Sequence, residues 1–340
     1  MRKITILLLI LSLSANLFSQ NMEPTSFENP ADYPLIGNWM GKWINPQKGH
    51  EVAHPNIAAQ INIIDGNRYM VHVLPELHKR AHLYLNVEIE YENDELNYTG
   101  DGWNITFSGD SCFGYGDLFG DLTYFKMTKN KIVSPTLELP APENAIDLLS
   151  DNTLSQWKHD DGRDSLTWKL KDGVLETVSE FWNNQQNREE GIGGSIRTKK
   201  EFGDLHLHVE FRYPVEPGKR GQGRGNSGLF LHGVGEIQIL NSYALMGLWD
   251  ECGAIYKRHP PKVNAAGPPL QWQTYDVDLT LPRFNANGKK LSNAFLTVRL
   301  NGIIIHNNLE VESNAATVAI SLQDHINRLQ YRNIWVVEKP

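Results

Sequence analysis

The sequence predicts an all-β protein in which a β-sandwich follows a small antiparallel β domain. Short runs rich in β-branched and aromatic residues recur along the chain, separated by Gly, Asn, Asp and Pro, as is typical of sandwiches and barrels. Apolar residues almost nowhere repeat with the 3.6-residue period of a helix. A proline-rich stretch at 134–142 divides the chain. With 340 residues, the chain is long enough for two domains.

The first domain is predicted to span residues 35–135. Its clearest element is a hairpin, because two β-prone runs flank the turn residues Asp65-Gly66-Asn67. The alternation of short runs and turns predicts a small antiparallel β domain. The predicted strands lie at 58–64, 69–74, 84–91, 103–108 and 122–127.

A linker at 136–146 is expected to lead into the second domain, at 147–338. That domain begins with two short runs around Lys171-Asp172-Gly173, which reads as strand, turn and strand. About ten short strands with turn signals predict a β-sandwich. They lie at 166–170, 174–178, 205–212, 228–232, 236–240, 274–281, 294–300, 303–306, 318–322 and 329–337.

Composition excludes several classes of protein. The 32 Lys and Arg against 40 Asp and Glu give a net charge of −8, which argues against a nucleic-acid partner. Hydrophobic residues make up 40% of the chain, enough to bury a full core. The two cysteines, Cys112 and Cys252, fall in different predicted domains. A disulfide framework and a four-thiolate zinc site are therefore not expected.

The N-terminus is predicted to be a cleaved signal peptide at residues 1–19. A basic head, Met1-Arg2-Lys3, precedes an apolar run at 4–18 that is followed by polar sequence. A transmembrane anchor is the alternative, but it would need about 20 apolar residues. We expect a periplasmic or secreted protein with no membrane insertion after cleavage.

One glycine motif points to a nucleotide site but has the wrong context. Residues 223–228 match G-x-G-x-x-G, a pattern that binds dinucleotides when it follows a strand and opens a helix. Here the following residues, 229–232, read as a strand. We therefore expect the glycines to form a tight backbone that leads Asn226 into a site.

His206, His208 and Glu210 alternate along one predicted strand, so they share a face. Two imidazoles and a carboxylate could bind a metal. A polar sheet face exposed to solvent or to a cleft is the other interpretation, and no metal or other cofactor is predicted.

Glu236 and Gln238 are the most informative pair. Alternation along their strand places both on one face while Ile237 and Ile239 enter the core. A retaining glycosidase needs two carboxyl groups about 5 to 5.5 Å apart, and this strand carries one. The two-carboxylate mechanism is therefore disfavoured here.

Near the C-terminus, Gln323 and His325 are expected on one face at a strand end, with Asp324 between them. Histidine has the pKa range for acid–base chemistry near neutrality, although a lone His is more often structural. Arg332 and Asn333 could donate hydrogen bonds to hydroxyls or to an oxyanion, or could brace the last strand.

Residues 145–338 resemble the 3-keto-disaccharide hydrolase family, a concanavalin A-like jelly roll. The accessory β modules found beside this family resemble the first domain at 41–43 and 58–60. The family usually has an acidic residue after the E-x-Q-x-x stretch, where this chain has Asn241. Seven ordered blocks carry the resemblance: 225–231, 236–240, 251–256, 272–276, 301–302, 322–325 and 332–335.

The resemblance implies hydrolysis of glycosides whose sugar was first oxidised at carbon 3 by a separate sugar oxidoreductase. A ketone at carbon 3 acidifies the hydrogen at carbon 2, so that one base, one acid and oxygen donors suffice. Glu236 is the expected base and His325 the expected acid. The expected substrate-binding residues are Asn226, Gln238, Asn241, Tyr256, Gln323, Arg332, Asn333, His208 and Glu210.

Two alternatives stay open at this point. The first is a carbohydrate-binding protein without chemistry, since the same fold serves lectins and Asn241 departs from the family pattern. The second is an ordinary glycosidase, which the missing second carboxylate disfavours.

Overall fold

The computed structural model describes residues 32–44, 55–80, 82–118, 121–149, 153–163, 166–178 and 185–340, and the predicted signal peptide lies outside them. Within these ranges nearly all regular structure is β, with one α-helix, α1, at Gln185–Glu190. None of the described helices has the length and apolar character needed to cross a membrane.

The first eight strands form a closed antiparallel barrel; they are β1 (Gly37–Ile44), β2 (Asn56–Asp65), β3 (Arg68–Leu74), β4 (Leu85–Glu92), β5 (Glu95–Gly100), β6 (Trp103–Ser108), β7 (Ser111–Leu118) and β8 (Asp121–Asn130). The barrel closes because β1 pairs with both β2 and β8. The predicted hairpin is confirmed, since β2 and β3 pair around the Gly66 turn. The interior of the barrel is aromatic, and the Trp39 and Phe107 rings meet edge-on with their centroids 5.0 Å apart.

The remaining strands build a sandwich of two antiparallel sheets and one small hairpin, β18–β19. They are β9 (Ile146–Asp147), β10 (Trp157–His159), β11 (Lys169–Lys171), β12 (Val174–Glu176), β13 (Ile196–Thr198), β14 (Leu205–Arg212), β15 (Ser227–Leu231), β16 (Gly235–Ile239), β17 (Gln273–Thr280), β18 (Arg283–Phe284), β19 (Lys290–Ser292), β20 (Ala294–Leu300), β21 (Ile303–Val311), β22 (Ile320–Leu322) and β23 (Gln330–Glu338).

The two sheets differ in the strands that they recruit. The five-stranded sheet has the order β10-β13-β22-β15-β16, and the larger sheet has the order β11-β12-β23-β14-β17-β20-β21, with β9 beside β23. Alternate residues of each strand enter a shared core; Val209 and Ile237 are examples from opposite sheets. This arrangement confirms the predicted fold class, an all-β sandwich after a small β domain.

The proline-rich segment at 134–142 packs against the outer face of the larger sheet. Ser134 Oγ lies 2.6 Å from Thr274 Oγ1, and Thr136 Oγ1 donates to Asp276 Oδ2 at 2.7 Å. The barrel also contacts the sandwich directly, because the Tyr243 hydroxyl donates to Asn38 Oδ1 at 2.9 Å. The segment between barrel and sandwich is therefore bonded along its length.

Candidate functional site

Polar side chains gather on the outer face of the five-stranded sheet, around strand β16. Ile237 and Ile239 are fully buried in the core between the sheets. Because neighbouring residues of a strand point to opposite faces, Glu236 and Gln238 lie on the outer face. The alternation read from the sequence is confirmed for this strand.

The strand register extends this face into two rows that run across the sheet. In the first row Glu236 pairs with Phe230, Phe230 with Ser321, and Ser321 with Arg197. In the second row Gln238 pairs with Gly228, whose carbonyl accepts a hydrogen bond from the Gln323 backbone at 3.0 Å. Neighbouring strands are about 4.8 Å apart, so the side chains of the two rows lie next to each other on one surface of the sheet.

The Glu236 carboxyl leans over Gly228, which has no side chain to obstruct it. A Cβ placed on Gly228 would lie 3.0 Å from the Glu236 Cδ and 2.8 Å from the Phe230 ring. Burial raises the pKa of Glu236 to about 7. No described residue donates a hydrogen bond to this carboxyl that would offset the loss of water.

Gln222 holds the amides of the site in place from a short 3₁₀ turn at Gly221–Gly223. Its Oε1 accepts hydrogen bonds from Gln238 Nε2 at 3.0 Å and Asn226 Nδ2 at 3.2 Å. Its own amide donates to the Asp250 carbonyl at 2.7 Å. Gln238 Oε1 is buried and has no hydrogen-bond partner among the described residues, which leaves an acceptor for a substrate hydroxyl.

His325 follows strand β22, two residues beyond Gln323, whose backbone bonds to Gly228. Asp324 between them is fully buried and accepts a hydrogen bond from the Gly194 backbone at 2.9 Å, so it fixes the chain at this point. Burial lowers the pKa of His325. Its Nδ1 is buried without a partner in the part of the chain that the structure describes.

Asn241 and Tyr256 border this face. The Asn241 backbone donates to the Arg224 carbonyl at 3.1 Å, and its Oδ1 is a further buried acceptor left unbonded by the described residues. The Tyr256 backbone donates to the Glu236 carbonyl at 3.0 Å, which adds residues 253–256 beside the edge of β16. Strand pairing and hydrogen bonds therefore connect Glu236, Gln238, Asn226, Gln323 and Tyr256 around β16. Asn241 and His325 follow the ends of β16 and β22.

Four predicted site residues lie elsewhere, and the expectation that Arg332 meets Glu236 in one pocket is wrong. Arg332 and Asn333 are on β23, and His208 and Glu210 on the adjacent β14, so all four belong to the larger sheet. They occupy its outer face, on the opposite side of the sandwich from Glu236, and the segment at 134–142 covers them.

These four residues form one connected hydrogen-bond network. Arg332 Nε donates to Glu210 Oε2 at 2.7 Å, and the guanidinium stacks 4.3 Å from the Trp272 ring centre. Burial alone would lower the pKa of His208, but hydrogen bonds to Asp276 and Glu210 outweigh it and raise the pKa. No set of three or more His, Cys, Asp or Glu suited to a metal ion occurs among the described residues. The network binds the 134–142 segment to the sandwich.

The structure also places residues in the site that the sequence analysis missed. Gln222 lies in a loop whose fold no local pattern indicates. Phe230 and Arg197 could have been found from strand parity, because each pairs directly into the Glu236 row. Arg197 Nε lies 3.5 Å from Asp160 Oδ1, and His232 Nε2 lies 3.4 Å from the same oxygen.

Two proteins of known structure are similar to part of this chain. A candidate glycosyl hydrolase from Parabacteroides distasonis ATCC 8503 is 30% identical over 59% of this chain and 86% of its own, with a TM-score of 0.51. A second one from the same organism is 18% identical over 58% of this chain and 95% of its own, with a TM-score of 0.41.

No curated protein matches the sequence. The family model described as a 3-keto-alpha-glucoside-1,2-lyase-like domain matches residues 144–337. This range includes both sheets and the outer face of the five-stranded sheet around Glu236 and Gln238, called the Glu236 face below. The resemblance noted in the sequence is thereby confirmed, and the chain belongs to this family.

Proposed function

We propose that the protein cleaves the glycosidic bond of 3-keto-glycosides by elimination followed by hydration. The observation that carries the proposal is Glu236, one carboxyl with a pKa near 7 on a face rich in amides. The rows of Glu236 and Gln238 contain no other carboxylate among the described residues. The carboxylate next to the Arg197 end of the first row, Asp160, already contacts Arg197 and His232. Such a site suits removal of a single carbon-bound proton better than a two-carboxylate displacement.

The chemistry follows from the ketone at carbon 3. Glu236 takes the proton from carbon 2, and the electrons of that C–H bond form an enolate whose charge rests on the carbon 3 oxygen. The enolate collapses to a C1=C2 double bond, restores the ketone and breaks the bond from carbon 1 to the aglycone oxygen. Water then adds across C1=C2, giving the free 3-keto sugar.

The raised pKa of Glu236 fits this role. A catalytic group works best when its pKa lies near the working pH, since it is then both sufficiently ionised and sufficiently basic. With a pKa of about 7, the carboxylate is a stronger base than an ordinary glutamate. Once protonated, it can deliver the proton to the departing aglycone oxygen.

We assign His325 a role different from the acid that the sequence suggested. Because burial lowers its pKa, the imidazole is mostly neutral at neutral pH. A neutral imidazole can donate a hydrogen bond to a ketone oxygen as it becomes an enolate. Gln238, Asn226 and Gln323 then contact the sugar hydroxyls.

The experiment is incubation with a 3-keto-glucoside and with its unoxidised parent in D₂O, followed by NMR. We expect deuterium at carbon 2 and aglycone release from the 3-keto compound alone. Glu236→Gln should lose both reactions, whereas the matched control Glu310→Gln, on the exposed surface of β21, should keep them. If His325→Gln abolishes deuterium incorporation and Glu236→Gln does not, His325 is the base.

A carbohydrate-binding protein without turnover is the second candidate, favoured by Asn241 in place of the family's acidic residue. Asn241→Asp restores that group next to the Glu236 strand. Inertness of wild type and Asn241→Asp on all 3-keto-glycosides, with sugar binding retained, would establish the binding function instead. The proposed catalytic role requires a separate sugar 3-oxidoreductase, which supplies the 3-keto substrate. We propose a periplasmic or secreted location for the protein.

A further inference from the structure

A cleft of about 790 Å³ lies between the barrel and one loop of the sandwich, and its described lining contains no residue of the Glu236 face. The barrel side contributes a cluster of nitrogen-bearing side chains, and the sandwich side contributes the loop at 244–249. The residues that matter here are His72, His78, Lys79, Arg80, Met246 and Trp249.

The loop exposes large apolar side chains to an unusual degree. Met246 is 73% exposed, Leu248 52% and Trp249 61%. Isolated exposed apolar residues are common, but three within four positions form a patch that favours binding. An exposed indole beside a cleft offers a flat surface on which a sugar ring can stack.

The loop that carries these side chains is firmly held. The Glu251 carboxylate accepts hydrogen bonds from the Gly247 backbone at 2.5 Å and the Leu248 backbone at 2.8 Å. Asn264 Nδ2 donates to the carbonyls of Ser242 at 2.7 Å and Leu245 at 2.8 Å. The indole is therefore presented on a preorganised support, which lowers the entropic cost of binding.

The polar lining of the cleft is cationic or neutral. None of its described lining residues is Asp or Glu, although the chain as a whole carries a charge of −8. Lys79 makes one exposed ion pair, at 3.5 Å with Glu76, which holds it weakly. Burial lowers the pKa of His72 and of His78, so both imidazoles can exchange hydrogen bonds with hydroxyl groups near neutral pH.

The loop also reaches the Glu236 face. Directly after Trp249, the Asp250 carbonyl accepts the hydrogen bond from Gln222, which in turn holds Gln238 and Asn226. The loop at 244–250 therefore connects the cleft to the Glu236 face through Gln222.

We propose that the cleft is a distal subsite for an acidic unit of an oligosaccharide, with the sugar ring on Trp249 and its carboxylate or sulfate facing Lys79 and Arg80. This inference rests on the proposed action on glycosides. It gives the barrel a function, since the barrel supplies the cations, and it narrows the substrate class to acidic glycans.

The test is isothermal titration of the full chain with unoxidised oligosaccharides, which bind without turnover. The probes are trigalacturonate for carboxylate, a sulfated chondroitin disaccharide for sulfate, and cellotriose as the neutral reference. We expect an acidic probe to bind more tightly than cellotriose and to weaken with salt. Trp249→Ala should weaken binding about tenfold or more and Lys79→Gln about threefold, whereas Leu291→Ala, an equally exposed residue on the distant β19 hairpin, should have no effect.

Three results would overturn the proposal: no binding of either acidic probe, equal binding of cellotriose, or acidic binding that Trp249→Ala leaves intact. Light scattering adds a fourth, since a dimer that Trp249→Ala converts to monomer would show that a second copy covers the patch. Circular dichroism of each variant separates lost binding from lost folding. If 3-keto-glucosides are not cleaved but the titrations behave as expected, the acidic-glycan site stands and the proposed catalysis fails.

Discussion

Replacing Glu236 by Gln should remove activity and at the same time stabilise the protein at alkaline pH. Gln keeps the shape of the side chain over Gly228 but carries no charge. In the wild type, the folded state holds the Glu236 proton more tightly than the unfolded state, because burial raises its pKa to about 7 from 4.5. The stability that Glu236 contributes is therefore fully present below about pH 4.5 and is lost as the pH rises through about 7.

The size of this loss follows from the two pKa values. A difference between about 7 and 4.5 corresponds to about 3 kcal/mol once the group is ionised in both states. Glu236 keeps partial contact with water, which screens the charge, so about 2 kcal/mol is a better expectation. Glu236→Gln avoids this penalty, since it has no ionised form.

The assay is urea unfolding followed by tryptophan fluorescence at about pH 5 and about pH 8. The free energy of unfolding of Glu236→Gln, measured relative to wild type, should rise by about 2 kcal/mol between these pH values. Glu310→Gln is the control, with an offset that does not change with pH. If the free energy of unfolding of Glu236→Gln and wild type changed with pH in parallel, the claim that burial raises the pKa of Glu236 would be refuted.

Three further predictions concern the same two faces of the sandwich. Gly228→Ala should lower kcat/KM at least about tenfold with folding retained, because the new methyl group displaces the Glu236 carboxyl. Circular dichroism checks the folding, and an unchanged kcat/KM would contradict the prediction. The kcat/KM profile should rise with pH to a plateau above about pH 7, as the base ionises, and a rise already complete near pH 5 would exclude Glu236 as that base. Arg332→Ala should lower the free energy of unfolding by about 3 kcal/mol, because it removes the guanidinium that pairs with the buried Glu210 carboxylate. Cleavage should continue, and loss of turnover in a folded variant would show that Arg332 belongs to the active site.

Strand parity gave the sequence analysis its successes. The alternation of Glu236, Ile237, Gln238 and Ile239 specifies which side chains enter the core, because burial of a wrong face would cost several apolar contacts. The hairpin around Gly66 was equally local, since the turn residues and the flanking runs lie within one short segment. Both predictions depend on neighbouring residues alone.

Parity does not say which sheet a strand joins. Arg332 has the outward orientation that the sequence suggested, but β23 pairs with β14 in the larger sheet and not with β16. Sheet membership depends on pairings between segments more than 100 residues apart, such as Glu210 with Arg332, and short-range patterns carry no information about them. The closure of the first domain into a barrel through β1 and β8 was missed for the same reason.

Hydrogen-bond satisfaction separates the two outer faces, although both carry residues with catalytic chemistry. On the larger sheet His208, Glu210 and Arg332 are bonded to each other or to the 134–142 segment, so a ligand would have to break existing bonds. On the smaller sheet Gln238 Oε1 and His325 Nδ1 are buried without partners among the described residues. A buried polar atom without a partner costs free energy, and a substrate hydroxyl or ketone that bonds to it recovers that free energy on binding. The unbonded atoms therefore support the proposal that the smaller sheet binds the substrate, whereas the bonds on the larger sheet hold the 134–142 segment.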